Sequence, residues 1–159
     1  MKICVVSSTV FAVPLGGYGG LEVIDWHCAR GLAEKGHQVS LVAPDGSSCP
    51  GVSVIQTGPA GRHGENHAIG RYGHLLKDYD AVIDHSWNKY TYSTKARGEF
   101  KGPVLGVMHA PVNTMFASPP PVEKPCIVCI SKDQAAHYEA LFSPAQARHC
   151  WNGIDLDYY

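Results

Sequence analysis

The sequence predicts an α/β fold with a single, doubly wound parallel sheet. Short runs rich in Val and Ile alternate with longer amphipathic stretches, the pattern of a parallel sheet covered by helices. A glycine-rich loop follows the first of these runs and leads into a predicted helix. With 159 residues, 45% of them hydrophobic, the chain can bury a core without disulfides or metals. We therefore interpret residues 1–159 as one domain.

The elements are predicted from apolar periodicity and from the residues that end each run. Strands are expected at residues 2–7, 39–43, 52–56, 81–84, 103–108 and 126–130. Helices are expected at residues 20–35, in a stretch ending near 77, and at 89–97 and 132–141. In the first helix, the stripe expected to pack on the sheet is Leu21, Ile24, Cys28 and Leu32. Ser131 is expected to cap the last helix.

Composition and charge exclude several classes of protein. The charged fraction is 17% and the formal net charge is -1, so no basic surface for nucleic acid is expected. Met1 and Lys2 lead directly into the first strand without a signal peptide's apolar region, and no apolar run approaches the roughly 20 residues of a membrane span. A cytoplasmic protein is expected, with a peripheral location at the cytosolic membrane face as the alternative.

Six cysteines could indicate a disulfide or metal scaffold. Most of them lie in apolar segments, where a free thiol behaves as a small buried hydrophobe. Cys126 and Cys129 have the spacing of a zinc or redox motif, but in a strand residues three apart point to opposite faces. We therefore expect reduced thiols and no metal.

The loop after the first strand contains Gly16, Gly17, Gly19 and Gly20 beside a helix N-terminus. Backbone amides without side chains, together with the helix dipole, suit a phosphate group, although an ordinary flexible loop can have the same composition. In a dinucleotide fingerprint, Glu22 would occupy the position of the third glycine, and the loop is too long. Because Asp45 could still imitate a ribose-binding acid, an NAD(P)-dependent oxidoreductase remains an alternative.

Two histidines directly follow neighbouring strands: His85 follows the fourth and His109 the fifth. Because the carboxyl ends of parallel strands meet at one edge, both side chains are expected to face one crevice. The other seven histidines are expected to be structural or at the surface. A Gly-x-Ser-x-Gly motif is missing, so acyl transfer through a nucleophile elbow is not expected.

In this order the motifs resemble those of retaining GT-B glycosyltransferases, in the group of glycogen synthase and sucrose synthase relatives (glycosyltransferase family 4 type). The resemblance covers the whole chain and rests on residues 16–22, 35–39, 84–87, 108–109, 130–134 and 151–155. It implies the N-terminal, acceptor-side, Rossmann-like lobe of a two-lobe enzyme that transfers a sugar from a nucleotide-sugar donor with retention of configuration.

The resemblance also implies roles for individual residues. Gly17, Gly19 and Gly20 lie near the donor diphosphate, and His109 faces the donor sugar as the catalytic residue. The acceptor side and the border of the cleft are formed by His85, Trp87, Ser131 and Asn152. Such enzymes use no metal, no other cofactor and no protein nucleophile, and the leaving diphosphate assists deprotonation of the acceptor.

The partners implied are a nucleotide-sugar donor, a sugar or lipid-linked acceptor, and a C-terminal GT-B lobe in cis or in trans. Residue 159 lies where that second lobe is expected to begin, so the chain alone is expected to be inactive or weakly active and to self-associate or expose apolar surface. A non-catalytic sugar- or nucleotide-binding module is a further alternative. Residues 59–66 and 111–125 are expected to select the acceptor.

We predict that purified protein holds no stoichiometric zinc at Cys126 and Cys129, because strand geometry sends their side chains apart. Elemental analysis of the purified chain measures this directly. Stoichiometric zinc that is lost when either cysteine is replaced would contradict the prediction.

Overall fold

The computed structural model describes residues 1–14, 19–61, 64–110, 122, 125–141 and 146–153. Its strands are β1 Lys2–Val6, β2 Gln38–Ala43, β3 Ser53–Gln56, β4 Ala81–Asp84, β5 Val104–Met108, β6 Cys126–Cys129 and β7 Gln146–His149. Its helices are α1 Gly20–Glu34, α2 Glu65–Tyr72, α3 Tyr90–Ala96 and α4 Lys132–Leu141, with a 3-10 helix at Gly73–Asp78.

The strands form one sheet in the order β3-β2-β1-β4-β5-β6-β7, and every neighbouring pair is parallel. The chain moves outward from β1 to β3, and then returns to pair β4 on the other side of β1. The strand order therefore reverses between β1 and β4, and a ligand crevice is expected at the carboxyl ends of these two strands. The predicted doubly wound parallel sheet is confirmed.

Helices cover both faces of the sheet. On one face, Tyr72, Leu76 and Tyr92 pack with alternate residues of the central strands, and Tyr138 of α4 continues this layer over β6. On the other face, α1 packs Trp26 and Ala29 over β1 and β2. Among the described elements, α1 alone covers this second face, which leaves the same side of β4, β5 and β6 partly open.

The side of α1 that is buried differs from the predicted stripe. Leu21, Ile24, Cys28 and Leu32 are only half-buried. The buried residues of the helix are instead Glu22, Asp25, Trp26 and Ala29. Two carboxylates can lie on a buried face because both find hydrogen-bond partners at the edge of the sheet.

Strand β7 was not predicted. It lies at the edge of the sheet and pairs with β6 alone among the described strands. Ala147 is buried, whereas Arg148 and His149 are exposed, so the segment lacks an apolar run. The predicted helix ending near residue 77 is also divided, because α2 ends at Tyr72 and the 3-10 helix follows it.

The six cysteines carry free thiols. Burial alternates along β6, with Cys126 half-buried and Cys129 buried, as expected for side chains on opposite faces. Among the described residues, no helix has both the length and the apolar character required to cross a bilayer.

We predict that Gly106→Ala destabilises the fold, because a Cβ at this position in β5 would lie 2.6 Å from the Tyr92 hydroxyl oxygen. That hydroxyl accepts the Gly106 amide proton at 3.0 Å and donates to the Cys126 carbonyl, so moving it disturbs the β5 and β6 pair. Overpacking of this kind costs about 1–3 kcal/mol of unfolding free energy.

The matched control for this prediction is Gly70→Ala, since a Cβ there meets nothing within 4 Å. In a helix interior this change should raise the unfolding free energy by about 0.5–1 kcal/mol. Urea denaturation of both variants gives the comparison, and a Gly106→Ala protein as stable as Gly70→Ala would refute the packing argument.

Candidate active site

The loop after β4 is held by the carboxylate of Asp84. One of its oxygens accepts the Ser86 backbone N–H at 2.9 Å and the Ser86 hydroxyl at 2.6 Å. The other oxygen accepts the hydroxyl of Thr91 in α3. Because both oxygens are engaged in shaping the loop, Asp84 has a structural role rather than that of a general acid or base.

A second buried carboxylate, Glu65 at the start of α2, secures the next residues of this loop. It accepts the backbone N–H of Trp87 at 2.8 Å, and both the backbone and side-chain N–H of Asn88 at 2.8 and 2.6 Å. Lys89 is also buried, and its ammonium donates to the Ser86 carbonyl. The loop that carries His85 and Trp87 is therefore fixed by charged side chains from two elements.

Three polar side chains meet at the crevice between β1, β4 and β5. His85 Nδ1 lies 2.9 Å from Asp25 Oδ1 of α1 and 2.9 Å from His109 Nε2. Asp25 is 0% exposed and His85 is 3% exposed. The Ser7 hydroxyl, just after β1, donates to the other oxygen of Asp25. We call Asp25, His85 and His109 the relay.

The two histidines of the relay have opposite pKa shifts. Burial alone lowers the pKa of His85, but the charge of Asp25 and its hydrogen bond outweigh burial and raise this pKa to about 9. Burial, followed by the charge of His85, lowers the pKa of His109 to about 4. At neutral pH, His85 is therefore a cation paired with Asp25, and His109 is neutral.

These charge states assign the proton between the two rings. The cationic His85 has a single proton on Nδ1, and this proton is shared between Asp25 Oδ1 and His109 Nε2, so the neutral His109 accepts at Nε2. The remaining proton of His109 is then on its Nδ1. The relay fixes both the tautomer and the orientation of His109, which the sequence prediction placed at the donor sugar.

An aromatic cavity of about 470 Å³ lies beside the relay, at the N-terminus of α1. Its lining is Val10, Phe11, Gly19, Gly20, Leu21, Glu22 and Trp87. Glu22 is buried and accepts the Ser8 hydroxyl at 2.7 Å. The cavity therefore places a fixed carboxylate and two aromatic rings next to two glycine amides.

The structure brings some of the predicted site residues together and separates others. His85 and His109 are in contact, as their places after neighbouring strands predict, but they line different cavities: His85 lines the groove on the sheet face and His109 lines the cavity that contains Ser131. Ser131 lies with His109 in a cavity of about 420 Å³, and its hydroxyl accepts the Gln134 N–H at 3.1 Å, so it caps α4 as predicted.

The remaining predicted residues have different surroundings. Trp87 is half-buried in the aromatic cavity with Gly19 and Gly20. Asn152 is exposed and lines a separate sheet-face groove, which runs between α1 and residues 150–153 over the open side of β4, β5 and β6. Gly17 lies outside the described residues, as does most of the predicted acceptor loop 111–125.

Among the residues that the structure describes, the relay is the group whose potential metal-ligating atoms converge, all within 4.8 Å of one another. The hydrogen bond between the two rings and the adjacent carboxylate account for this convergence without an ion. The expectation that the site uses no metal stays a prediction.

The sequence did not predict the roles of Asp25, Glu22 and Glu65, the three carboxylates that accept hydrogen bonds from, or pair with, groups at the carboxyl edge of the sheet. The available signal was weak: Glu22 and Asp25 are three residues apart within an otherwise apolar start of α1, and such a pair shares one helix face. Glu65 carried no signal, because its partners are more than twenty residues away.

The fold is that of an α/β protein and matches one lobe of the GT-B glycosyltransferases. Sucrose-phosphate synthase from Thermosynechococcus elongatus is similar with a TM-score of 0.70 and 16% identity, over 99% of this chain and 49% of its own. A protein from Anabaena solved with UDP and glucose has a TM-score of 0.59 and 15% identity, over 100% of this chain and 46% of its own.

An α-glucosyltransferase solved with UDP and a 13-mer DNA containing a HMU base has a TM-score of 0.58 and 14% identity, over 98% of this chain and 43% of its own. This chain thus spans about half the length of these solved structures. At such identities the likeness establishes the fold. No protein-family model matches the sequence, and no curated protein does so.

We predict that the unfolding free energy has a maximum near pH 6.5, the ordinary pKa of histidine. The folded pKa of His85 is raised, so its contribution is complete below pH 6.5 and is lost as pH rises towards 9. The folded pKa of His109 is lowered, so stability falls as pH decreases from 6.5 towards 4.

The variant Asp25→Asn tests the alkaline part of this profile, because it removes the charge that holds the proton on His85. The decline between pH 6.5 and 9 should flatten in Asp25→Asn and persist in Asp133→Asn, an exposed control on α4. Urea denaturation across this pH range gives both profiles, and an unchanged slope in Asp25→Asn would contradict the assignment.

Proposed function

We propose that this chain is the acceptor-side lobe of a glycosyltransferase that transfers a sugar from a nucleotide-sugar donor with retention of configuration. The observation that carries the proposal is the contact of the cationic His85 with the neutral His109 at the carboxyl edge of β4 and β5. This edge belongs to a fold shared with one half of known glycosyltransferases. The second lobe is part of the proposal, in cis or in trans.

In this proposal His109 positions the donor sugar. A neutral imidazole can form a hydrogen bond with a sugar hydroxyl without placing a further charge in the cleft. The cationic His85 behind it keeps the ring in one orientation. Asp25 compensates the charge of His85, so the relay as a whole adds no net charge.

The transfer itself needs positioning and electrostatic stabilisation more than a reactive protein group. The bond between the sugar's anomeric carbon and the diphosphate oxygen breaks, and the acceptor oxygen bonds to the same face of that carbon. The acceptor proton passes to the leaving diphosphate. We propose that the amides of Gly19 and Gly20, with those of Gly17, lie near this diphosphate, where the N-terminus of α1 favours negative charge.

The aromatic cavity supports a carbohydrate acceptor. The carboxylate of Glu22 repels a phosphate in direct contact but accepts hydrogen bonds from hydroxyl groups. The rings of Phe11 and Trp87 offer apolar faces for the C–H side of a sugar. We therefore place acceptor hydroxyls against Glu22, whether the acceptor is a free sugar or the sugar of a lipid-linked molecule.

The second lobe would close over this edge and exclude water, which strengthens every fixed dipole in the cleft. Phe11 is 38% exposed and Trp151 is 69% exposed, so apolar rings are available for such a contact. The same exposed rings support the proposal that the isolated lobe self-associates.

We predict that the chain alone binds nucleotide sugars weakly, with a dissociation constant of about 1 mM, or about 4 kcal/mol, and transfers no sugar. In the two-lobe assembly, His109→Ala should lower the transfer rate about a hundredfold, because a positioning contact is lost. Release of nucleoside diphosphate from a panel of UDP-, GDP- and ADP-sugars measures the rate.

His74→Ala, an exposed substitution on the 3-10 helix, is the matched control for this assay. Its transfer rate should equal that of the unmodified assembly. Enzyme-like turnover by the single lobe, or equal rates for His109→Ala and His74→Ala, would overturn the mechanism.

A further inference from the structure

The sheet-face groove is an apolar surface of about 510 Å³ that the proposed sugar transfer does not use. Its floor consists of side chains from β4, β5 and β6, namely Ile83, Leu105, Val107 and Val128. Among the described helices, α1 borders this floor and none crosses it. The groove is therefore an open apolar face of the sheet.

The direction in which strands are added explains why this face is open. After β4, the strands β5, β6 and β7 are added in the direction opposite to β2 and β3. Right-handed crossovers then place the intervening helices on the face opposite α1. Tyr92 of α3 and Tyr138 of α4 pack on that opposite face. A cover for the groove therefore has to come from outside the connections between β4 and β7.

The outward side of α1 is a second apolar surface, next to the groove. A surface helix normally carries polar side chains towards solvent. Of the four charged residues in α1, Glu22 and Asp25 are buried, which leaves Arg30 and Glu34. The half-buried residues outside the core cluster include Val23, Ile24, His27 and Gly31. This composition is typical of a helix that packs against another element on its outer side.

The groove and α1 have matching dimensions. The 15 residues of α1 give a helix about 22 Å long and about 10 Å wide. The floor extends over three strands spaced about 4.8 Å apart, and the five residues of β5 are about 17 Å long. The groove therefore has the width and the length of one helix, and it lies beside a helix of that size.

We propose that the sheet-face groove is the interface of a symmetric dimer, in which α1 of a second copy of this chain fills the groove. A two-fold axis parallel to α1, between the helix and the groove, also places α1 of the first copy in the groove of the second. The same contact is made twice, so the buried area is on the order of the 1,600 Å² typical of stable complexes. Both apolar surfaces are covered in one step.

The charges at the groove are also self-complementary. Arg30 and Glu34 both line it, and within one copy Arg30 Nε lies 2.7 Å from Glu34 Oε1. In a two-fold symmetric contact, Arg30 of one copy meets Glu34 of the other, and the reciprocal pair forms as well. Each copy supplies the opposite charge that the other requires, which favours a second copy as the occupant.

The far wall of the groove carries a large aromatic side chain. Trp151 is 69% exposed and lines the groove opposite α1. Tryptophan is enriched in protein interfaces, and here it would contact α1 of the second copy. This dimer gives the self-association in the proposed function a defined surface. It does not involve sugar transfer, so the dimer and the transferase can fail separately.

The first test is the substitution Gly31→Glu in the 159-residue chain. Gly31 lines the groove, and a Cβ there meets nothing within 4 Å, so the packing within one copy is preserved. In the dimer, the change buries a carboxylate without a partner in each groove. Sedimentation velocity should show a wild-type dimer and a dissociation constant about a hundredfold higher for Gly31→Glu.

The matched control is Gly70→Glu, the same change on α2. Gly70 is exposed, and a Cβ there also meets nothing within 4 Å. Because α2 lies on the other face of the sheet, the dissociation constant of Gly70→Glu should equal that of the wild type. Circular dichroism verifies that both variants are folded.

A charge exchange tests the pairing across the two-fold axis. Arg30→Glu and Glu34→Arg should each raise the dissociation constant about tenfold, because like charges then meet. The double variant Arg30→Glu/Glu34→Arg restores opposite charges and should return the constant towards the wild-type value. A double variant at least as weak as the single variants would contradict the proposed pairing.

Two further results would overturn the proposal. Phe11 is exposed at the carboxyl edge, and if Phe11→Ser dissociates the dimer while Gly31→Glu does not, the chains associate through that edge. A wild-type chain that stays monomeric up to about 100 μM would also exclude the dimer. If this monomer binds a supplied second lobe and Gly31→Glu abolishes the binding, the groove belongs to that lobe instead.

Discussion

The carboxylate of Asp25 is the group on which the organisation of this edge depends. A carboxylate that is 0% exposed is tolerated only with hydrogen bonds and an opposite charge, since an unpaired buried charge costs several kcal/mol. Ser7 supplies the hydrogen bond and His85 the charge. These partners come from the ends of β1 and β4, the two strands between which the sheet order reverses. The parallel fold thus assembles the site, and the site ties α1 to the sheet.

The pairing of Asp25 with His85 also gives the two adjacent histidines, His85 and His109, different charge states. A single carboxylate makes His85 a cation, and that cation, together with burial, keeps His109 neutral. Neither property follows from histidine itself, whose ordinary pKa would leave both rings partly charged near neutral pH. The surrounding carboxylates of Asp84 and Glu65 have the different task of fixing the loop. At the carboxyl edge of the sheet, Asp84 and Glu65 therefore position the backbone, whereas Asp25 determines where the histidine protons lie.

The elements that depend on local pattern could be predicted from the sequence. Buried parallel strands such as β5 are visible in the sequence as apolar runs. His85 and His109 could be predicted as site residues because each directly follows one of these strands. Edge strand β7 lacks that pattern because Arg148 and His149 face solvent. Asp25 and Glu22 were missed because periodicity counts apolar residues, whereas a buried carboxylate becomes favourable only through a tertiary partner such as His85, sixty residues away.

The charge states of His85 and His109 determine how the relay works, and NMR titration tests them most directly. Histidine labelled with ¹⁵N gives ring-nitrogen signals whose chemical shifts report the protonation of each imidazole. The signals of His85 and His109 are assigned by their loss in His85→Gln and His109→Gln. We expect His85 to remain cationic to about pH 9 and His109 to remain neutral down to about pH 4. If both rings titrate together near the ordinary value of 6.5, the relay does not operate as described.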